Sequence, residues 1–288
     1  MNADFVKLVE DEYKKIQTGE PFYIGEGNPD ADILIIGNEC ARREDGQDVA
    51  VHNVEKWKEL LGRGYNEEDI GRELQDYKDR PDNDKYYPLC PWFGQKCIVR
   101  TEVVDEKGEV KKIRGEKGTA RTWVQYQKLI DWIDDEKGFD RNNFIDFHLD
   151  AFHTELSQIP RKQSGKYNEE TDDSIKKRMK ELFSKPFFQK FPVVIIAAGH
   201  YVQDYKINNI EKIFNVTFDK EKSPLTVPNK KGRLQWINMH YDNDSAPRRV
   251  LLHTEHFAAA ISNDYIRKIA ELASPYIERP NKRNYDNE

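Results

Sequence analysis

The chain has 288 residues, 34% of them charged and 37% hydrophobic, with a formal net charge of −6. That length is enough for a full hydrophobic core in one α/β domain, and no apolar run approaches the roughly 20 residues that a helical membrane span needs. The acidity excludes a strongly basic nucleic-acid binder, but not one with a local basic face, because binding depends on where the charges sit.

Residues 4–15 carry apolar side chains at Phe5, Leu8, Val9 and Tyr13, a helical spacing that continues to Ile16 and stops at Gly19 and Pro21. Acidic residues in this stretch set it apart from a signal peptide. Residues 31–37, ADILIIG, form a short and nearly continuous apolar run, as in a strand buried on both faces of a parallel sheet. Residues 54–80 read as polar helices, and 82–97 as an ordered loop dense in aromatics and prolines. Two β-rich runs flank residues 105–108 and predict a hairpin. Residues 122–133 predict an amphipathic helix, 144–156 a second strand region, 172–183 a helix and 192–199, PVVIIAAG, a third buried strand. A further helix is expected through Phe214, strands at 234–239 and 250–254, and a final amphipathic helix at 257–273. The polar tail, 279–288, is expected to be disordered.

This alternation predicts helices on both faces of a mostly parallel sheet, with a ligand crevice beyond the carboxyl ends of its strands. Segments 38–48, 153–163, 200–204 and 253–257 then lie where a site is expected. In GNECARREDGQD, residues 37–48, Glu39 is a candidate general base or water-positioning carboxylate, and Arg42 and Arg43 are candidate phosphate contacts; the alternative is a solvated turn. The segment is neither a dinucleotide fingerprint nor a P-loop. In LLHTEHF, His253 is delivered to a strand end, where it either serves a developing oxyanion or is structural, and His256 lies three residues on, near the start of a helix. His153 and Glu155 share one strand face and either read a ligand edge or form a surface pair. The aromatics of 86–93 either stack on bases or cap an apolar face.

Of the basic clusters, 161–166 follows a strand on the ligand side, so Arg161 is a phosphate candidate. The clusters at 111–117, 176–180, 230–233 and 248–249 read mostly as solvated faces. Cys40, Cys90 and Cys97 are odd in number and lack paired spacing, which points to a reducing, cytoplasmic setting with no disulfide framework. Cys90 and Cys97 do not match zinc-finger spacing, so neither a metal nor another cofactor is expected.

The order of these motifs resembles the uracil-DNA glycosylase superfamily from Asp30 to about Ser274, with residues 50–118 as an apparent insertion in a single domain spanning 1–278. PDADILIIGNECARRED is similar to the family's first strand and loop, with Glu44 and Asp45 at its trailing acidic pair. GTARTWVQYQKLIDWI is similar to its next helix, FHTELSQIP to its second strand, and LLHTEHF stands in the place of its His-Pro-Ser-Pro motif. The resemblance implies a three-layer α/β/α sandwich around a short, mostly parallel sheet. It also implies extrusion of a base from DNA and hydrolysis of its N-glycosidic bond, the unstacking costing a few kcal/mol.

By position, the resemblance gives Glu39 the water-orienting role, His253 the stabilisation of the departing base and Glu155 the reading of the base edge. Asn38, His153, His256, Arg42, Arg43 and Arg161 are further candidates for substrate binding. The departures are specific. Cys40 and Ala41 replace the Pro-Gly pair, HTEH replaces His-Pro-Ser-Pro, and Glu155, when ionised, offers only acceptors where the family has an amide. These losses leave room for a protein that keeps the fold and binds a nucleic acid, a nucleotide or a protein without chemistry. A Rossmann-like hydrolase of a small substrate is a third reading.

Overall fold

The apolar run at 31–37 becomes strand β2 (Ile33–Ala41), which continues past the glycine expected to end it. The computed structural model that shows this describes residues 2–41, 48–63, 88–89, 91, 100–104, 106–114, 121–134, 145–161, 167–244 and 247–278. Leu34 and Ile36 enter one apolar core, whereas Ile33 and Ile35 enter another. The two-residue period of a strand thus feeds both faces of the sheet, as a continuous apolar run requires.

Helices α1 (Ala3–Thr18), α2 (Val49–Gly62), α3 (Arg121–Asp134) and α4 (Glu169–Glu181) are followed by three short ones, α5 (Pro186–Gln189), α6 (Tyr201–Asp204) and α7 (Ile210–Phe214), and by α8 (Asn263–Ala273). Side chains of α1, α2 and α4 to α7 join the Leu34 core. Those of α3 and α8 join the Ile33 core. The architecture is therefore α/β, with helical layers on both faces of one sheet.

The sheet runs β1 (Glu26–Gly27), β5 (Ala151–Arg161), β2, β6 (Val193–Ile196), β10 (Val250–Thr254), β9 (Leu234–Tyr241) and β7 (Thr217–Phe218), and β8 (Leu225–Pro228) also pairs with β9. Only β5, β2, β6 and β10 are mutually parallel. The flanking pairs are antiparallel, so the sheet is less parallel than expected. The expected hairpin is present as a separate two-stranded sheet, β3 (Arg100–Val104) with β4 (Val110–Arg114).

Several boundaries move for local reasons. The strand expected from 144 starts at Ala151, because Gln127 of α3 accepts from the backbone N–H groups of Asp146 and Phe147 and a 3₁₀ turn, Phe147–Leu149, follows. The helix expected through Phe214 splits into α6 and α7, with Lys206 between them at a left-handed φ of 51°. The last helix begins at Asn263 rather than 257, capped by Ser262, whose side chain accepts from the Tyr265 N–H. Part of the expected insertion belongs to the core: Val54, Trp57 and Leu60 of α2 are buried in the Leu34 cluster. The basic cluster at 176–180 is not wholly a solvated face, because Arg178 is fully buried. The tail at 279–288, most of the aromatic loop, Cys90 and Cys97 lie outside the described residues.

Candidate functional site

Parallel pairing sets β2 beside β5 with Ile35 opposite His153, Gly37 opposite Glu155 and Glu39 opposite Ser157. A Cβ on Gly37 would stand 2.1 Å from Glu155 Oε2, so only glycine lets this carboxylate lie across the neighbouring strand. Glu155 Oε2, Asn38 Oδ1 and Glu39 Oε2 are all buried without a hydrogen-bond partner among the described residues. Native structures leave few such atoms, because each costs about 1–3 kcal/mol. Three of them on adjacent strands near the carboxyl end of a parallel sheet make this the candidate site.

Glu39 sits between two further groups. The Tyr201 hydroxyl at the start of α6 and the Arg161 guanidinium at the end of β5 both act on its ionisation. Burial raises the Glu39 pKa, the tyrosine and arginine oppose that only in part, and the Glu155 charge adds to it. The Tyr201 hydroxyl is itself pushed up, by burial first and then by Glu39. Arg161 Nη1 donates to the Tyr205 hydroxyl at 3.3 Å. Tyr205 packs edge-on against Tyr201 and stacks on the exposed Tyr167, with ring centroids 4.9 and 5.5 Å apart. A buried tyrosine pair, covered by Tyr167, thus flanks the carboxylate.

The histidines separate. In β10, Leu251 belongs to the Leu34 core and Leu252 to the Ile33 core, so His253 points to the Leu251 side. By the same alternation His153 and Glu155 point to the other side, that of Ala151. His253 is buried, packs at 4.8 Å against Trp236, and has Nε2 2.8 Å from the Gly199 carbonyl oxygen. Burial depresses its pKa to about 4, so the ring is neutral and its Nε2–H donates to Gly199. That bond commits Nε2 to the backbone. His256 is placed differently: it packs on Gly199, where an added Cβ would lie 3.1 Å from the His256 backbone nitrogen, and its ionisation feels Glu155. Burial lowers the His256 pKa, so this ring is also held neutral.

His153 Nε2 lies 3.4 Å from Glu155 Oε1. Burial opposes protonation of this ring, but the Glu155 carboxylate, helped by Glu26, outweighs it and raises the His153 pKa. Glu39, Arg161, Glu155 and His256 thus lie around the ends of β2 and β5 with His153 behind Glu155, whereas Asn38 follows Leu34 and Ile36 to the face of His253. Arg42 and Arg43 lie outside the described residues. Tyr201 and Tyr205 were not singled out from the sequence. Their signal was there, two tyrosines four residues apart directly after the third buried strand.

No family model matches the chain, and no curated protein matches it. Among the described residues, no helix is long and apolar enough to cross a membrane.

Proposed function

We propose that the chain is an N-glycosidase acting on a nucleobase, with Glu39 as its general base. The observation that carries this reading is the Glu39 carboxylate itself. It stands near the end of a central parallel strand, its pKa is raised, and Oε2 is buried with no partner. A carboxylate so placed takes a proton from water while the water oxygen bonds to the anomeric carbon. The glycosidic electron pair leaves with the base. Glu155 accepts hydrogen bonds from amino groups on the base edge, which favours a donor-rich base over uracil. His256 takes over the role that the family resemblance gave to His253, because its ring lies within electrostatic reach of Glu155. Tyr167, the exposed member of the tyrosine group, offers a ring for stacking, and Arg161, with Arg42 and Arg43, meets phosphate.

The test is a cleavage assay on single- and double-stranded oligonucleotides carrying uracil, hypoxanthine, xanthine and alkylated bases. Abasic sites are expected from the wild-type protein, and Glu39→Gln is expected to lower the rate by roughly 10²–10⁴-fold. Activity unchanged in Glu39→Gln would sink the mechanism.

The commitment of His253 Nε2 to Gly199 favours a second reading, a binding protein that keeps the fold without the chemistry. It predicts ligand retention with no product across the whole panel.

A further inference from the structure

Behind Glu155, on the same face of β5, lies a cluster that the glycosidase reading does not use. Strand β1 pairs antiparallel with β5, with Glu26 directly opposite His153. Two glycines make this pairing possible. Gly25 and Gly27 have φ of 134° and 103°, and a Cβ on either would fall 2.4 Å from the His153 carbonyl oxygen or 2.2 Å from that of Ala151. The Gly-Glu-Gly sequence thus presses one carboxylate against one imidazole. The 3₁₀ turn before β5 brings a third group, His148. Ligand atoms of Glu26, His148 and His153 lie within 4.8 Å of one another.

Both histidines are at least 96% buried, yet His148 Nδ1 and Nε2 and His153 Nδ1 have no hydrogen-bond partner among the described residues. Three orphaned ring nitrogens in one small volume are costly, unless something not made of protein serves them. The His148 ring is fixed between Phe147 and Trp123, with centroids 3.9 and 4.8 Å away, so it cannot swing out to water without breaking that packing. His153 is anchored through Nε2 by Glu155, which leaves Nδ1 available. A carboxylate behind one ring nitrogen and a metal on the other is the usual arrangement of a metal-binding histidine.

We propose that Glu26, His148 and His153 bind one divalent transition-metal ion of the zinc type, with Glu155 orienting His153 from behind. Two imidazoles and one carboxylate are the donor set such ions take, at about 2.0–2.2 Å from each ligand atom. Ligands so bound lie closer together than 4.8 Å, so the ion draws the three side chains inward. The ion ties the edge strand β1 to β5 and fixes the side of Glu155 that faces away from the ligand. The glycosidase reading gives Glu26, His148 and His153 no step of the reaction, and the two readings share Glu155, which pairs with His153.

The test is made on the whole protein, stripped with a chelator, confirmed as folded by circular dichroism and then titrated with Zn²⁺ and, separately, Co²⁺. One equivalent of Zn²⁺ is expected to stay bound through gel filtration, and Co²⁺ is expected to give visible ligand-field bands. Glu155→Gln is expected to weaken Zn²⁺ binding by about 10–100-fold. His148→Phe matches its aromatic surroundings and is expected to fold while losing the tight equivalent and the cobalt bands. The proposal is overturned if folded wild-type protein binds no equivalent. It is also overturned if His148→Phe and Glu26→Gln both keep the tight equivalent, because the ion would then sit elsewhere.

Discussion

At the scale of single residues, the clearest consequence of burial is at His253. The unfolded imidazole titrates near 6.5, whereas the buried ring titrates near 4. Between those values the unfolded chain carries a proton that the folded chain refuses, so stability falls as pH drops through this window and levels off below it. A gap of that size corresponds to about 3 kcal/mol. His253→Gln keeps an amide donor for the Gly199 carbonyl and does not titrate. Urea unfolding at pH 7 and pH 4 is therefore expected to show the variant gaining about 3 kcal/mol relative to wild type on acidification. His148, also buried and held neutral, titrates in both proteins and cancels in the comparison. An unchanged difference between the two pH values would show that the ring is already protonated or solvated at pH 4.

At the scale of elements, Arg178 shows how a helix is held to a sheet by polar means. It lies on the inner side of α4 and donates through Nε and Nη2 to the Glu155 carbonyl oxygen at 3.1 and 2.9 Å. Nη1 donates to the Tyr23 carbonyl oxygen at 2.7 Å. One side chain thus fastens α4, β5 and the segment entering β1, and burial lowers its pKa to about 10, which still leaves it charged at neutral pH. Arg178→Met fits the space but strips both carbonyls of their donors. Each loss costs about 1–3 kcal/mol, so a destabilisation of about 3–5 kcal/mol is expected in urea unfolding. Arg178→Lys is expected to recover little, because an ammonium cannot reproduce the fork that spans both carbonyls. A loss under 1 kcal/mol for Arg178→Met would mean that water serves the carbonyls.

The elements with strong apolar periodicity were legible in the sequence. Strands β2, β6 and β10 and helices α1 and α3 fall where their runs of apolar residues put them. What escaped was set by partners distant along the chain. Nothing local in Lys176–Lys180 distinguishes Arg178 from its solvated neighbours, since its burial is decided by carbonyls on β5 and near Tyr23. Strand β1 is two residues long and exists because Gly25 and Gly27 allow β5 to approach. For the site, the sequence pointed to the polar ends of β2 and β5. It could not say which of His253 and His256 faces Glu155, because that depends on where β10 ends and the chain turns over Gly199. A search for metals guided by cysteine spacing likewise passed over two histidines five residues apart, joined by a 3₁₀ turn and a strand.

At the scale of the whole molecule, the net charge of −6 has to be reconciled with a polyanionic substrate. A protein of that charge gains nothing from its overall field when it approaches nucleic acid, so the attraction must come from a few cations at the site. Arg161 beside Tyr205, with Arg42 and Arg43 in the segment after β2, supplies at most three phosphate contacts in the reading proposed above. Counterion release then fixes the salt dependence: about 0.9 per contact on duplex DNA, hence a slope of log affinity against log salt of about −2.7. The measurement uses Glu39→Gln, so that binding is read without turnover, and a duplex carrying the preferred base. Removing one cation with Arg161→Ala is expected to flatten the slope to about −1.8, weakening binding to all sequences alike. A slope near zero would mean that phosphates are not part of recognition. The exposed Tyr167 would then belong to a free nucleotide or a protein partner rather than to a nucleic-acid strand.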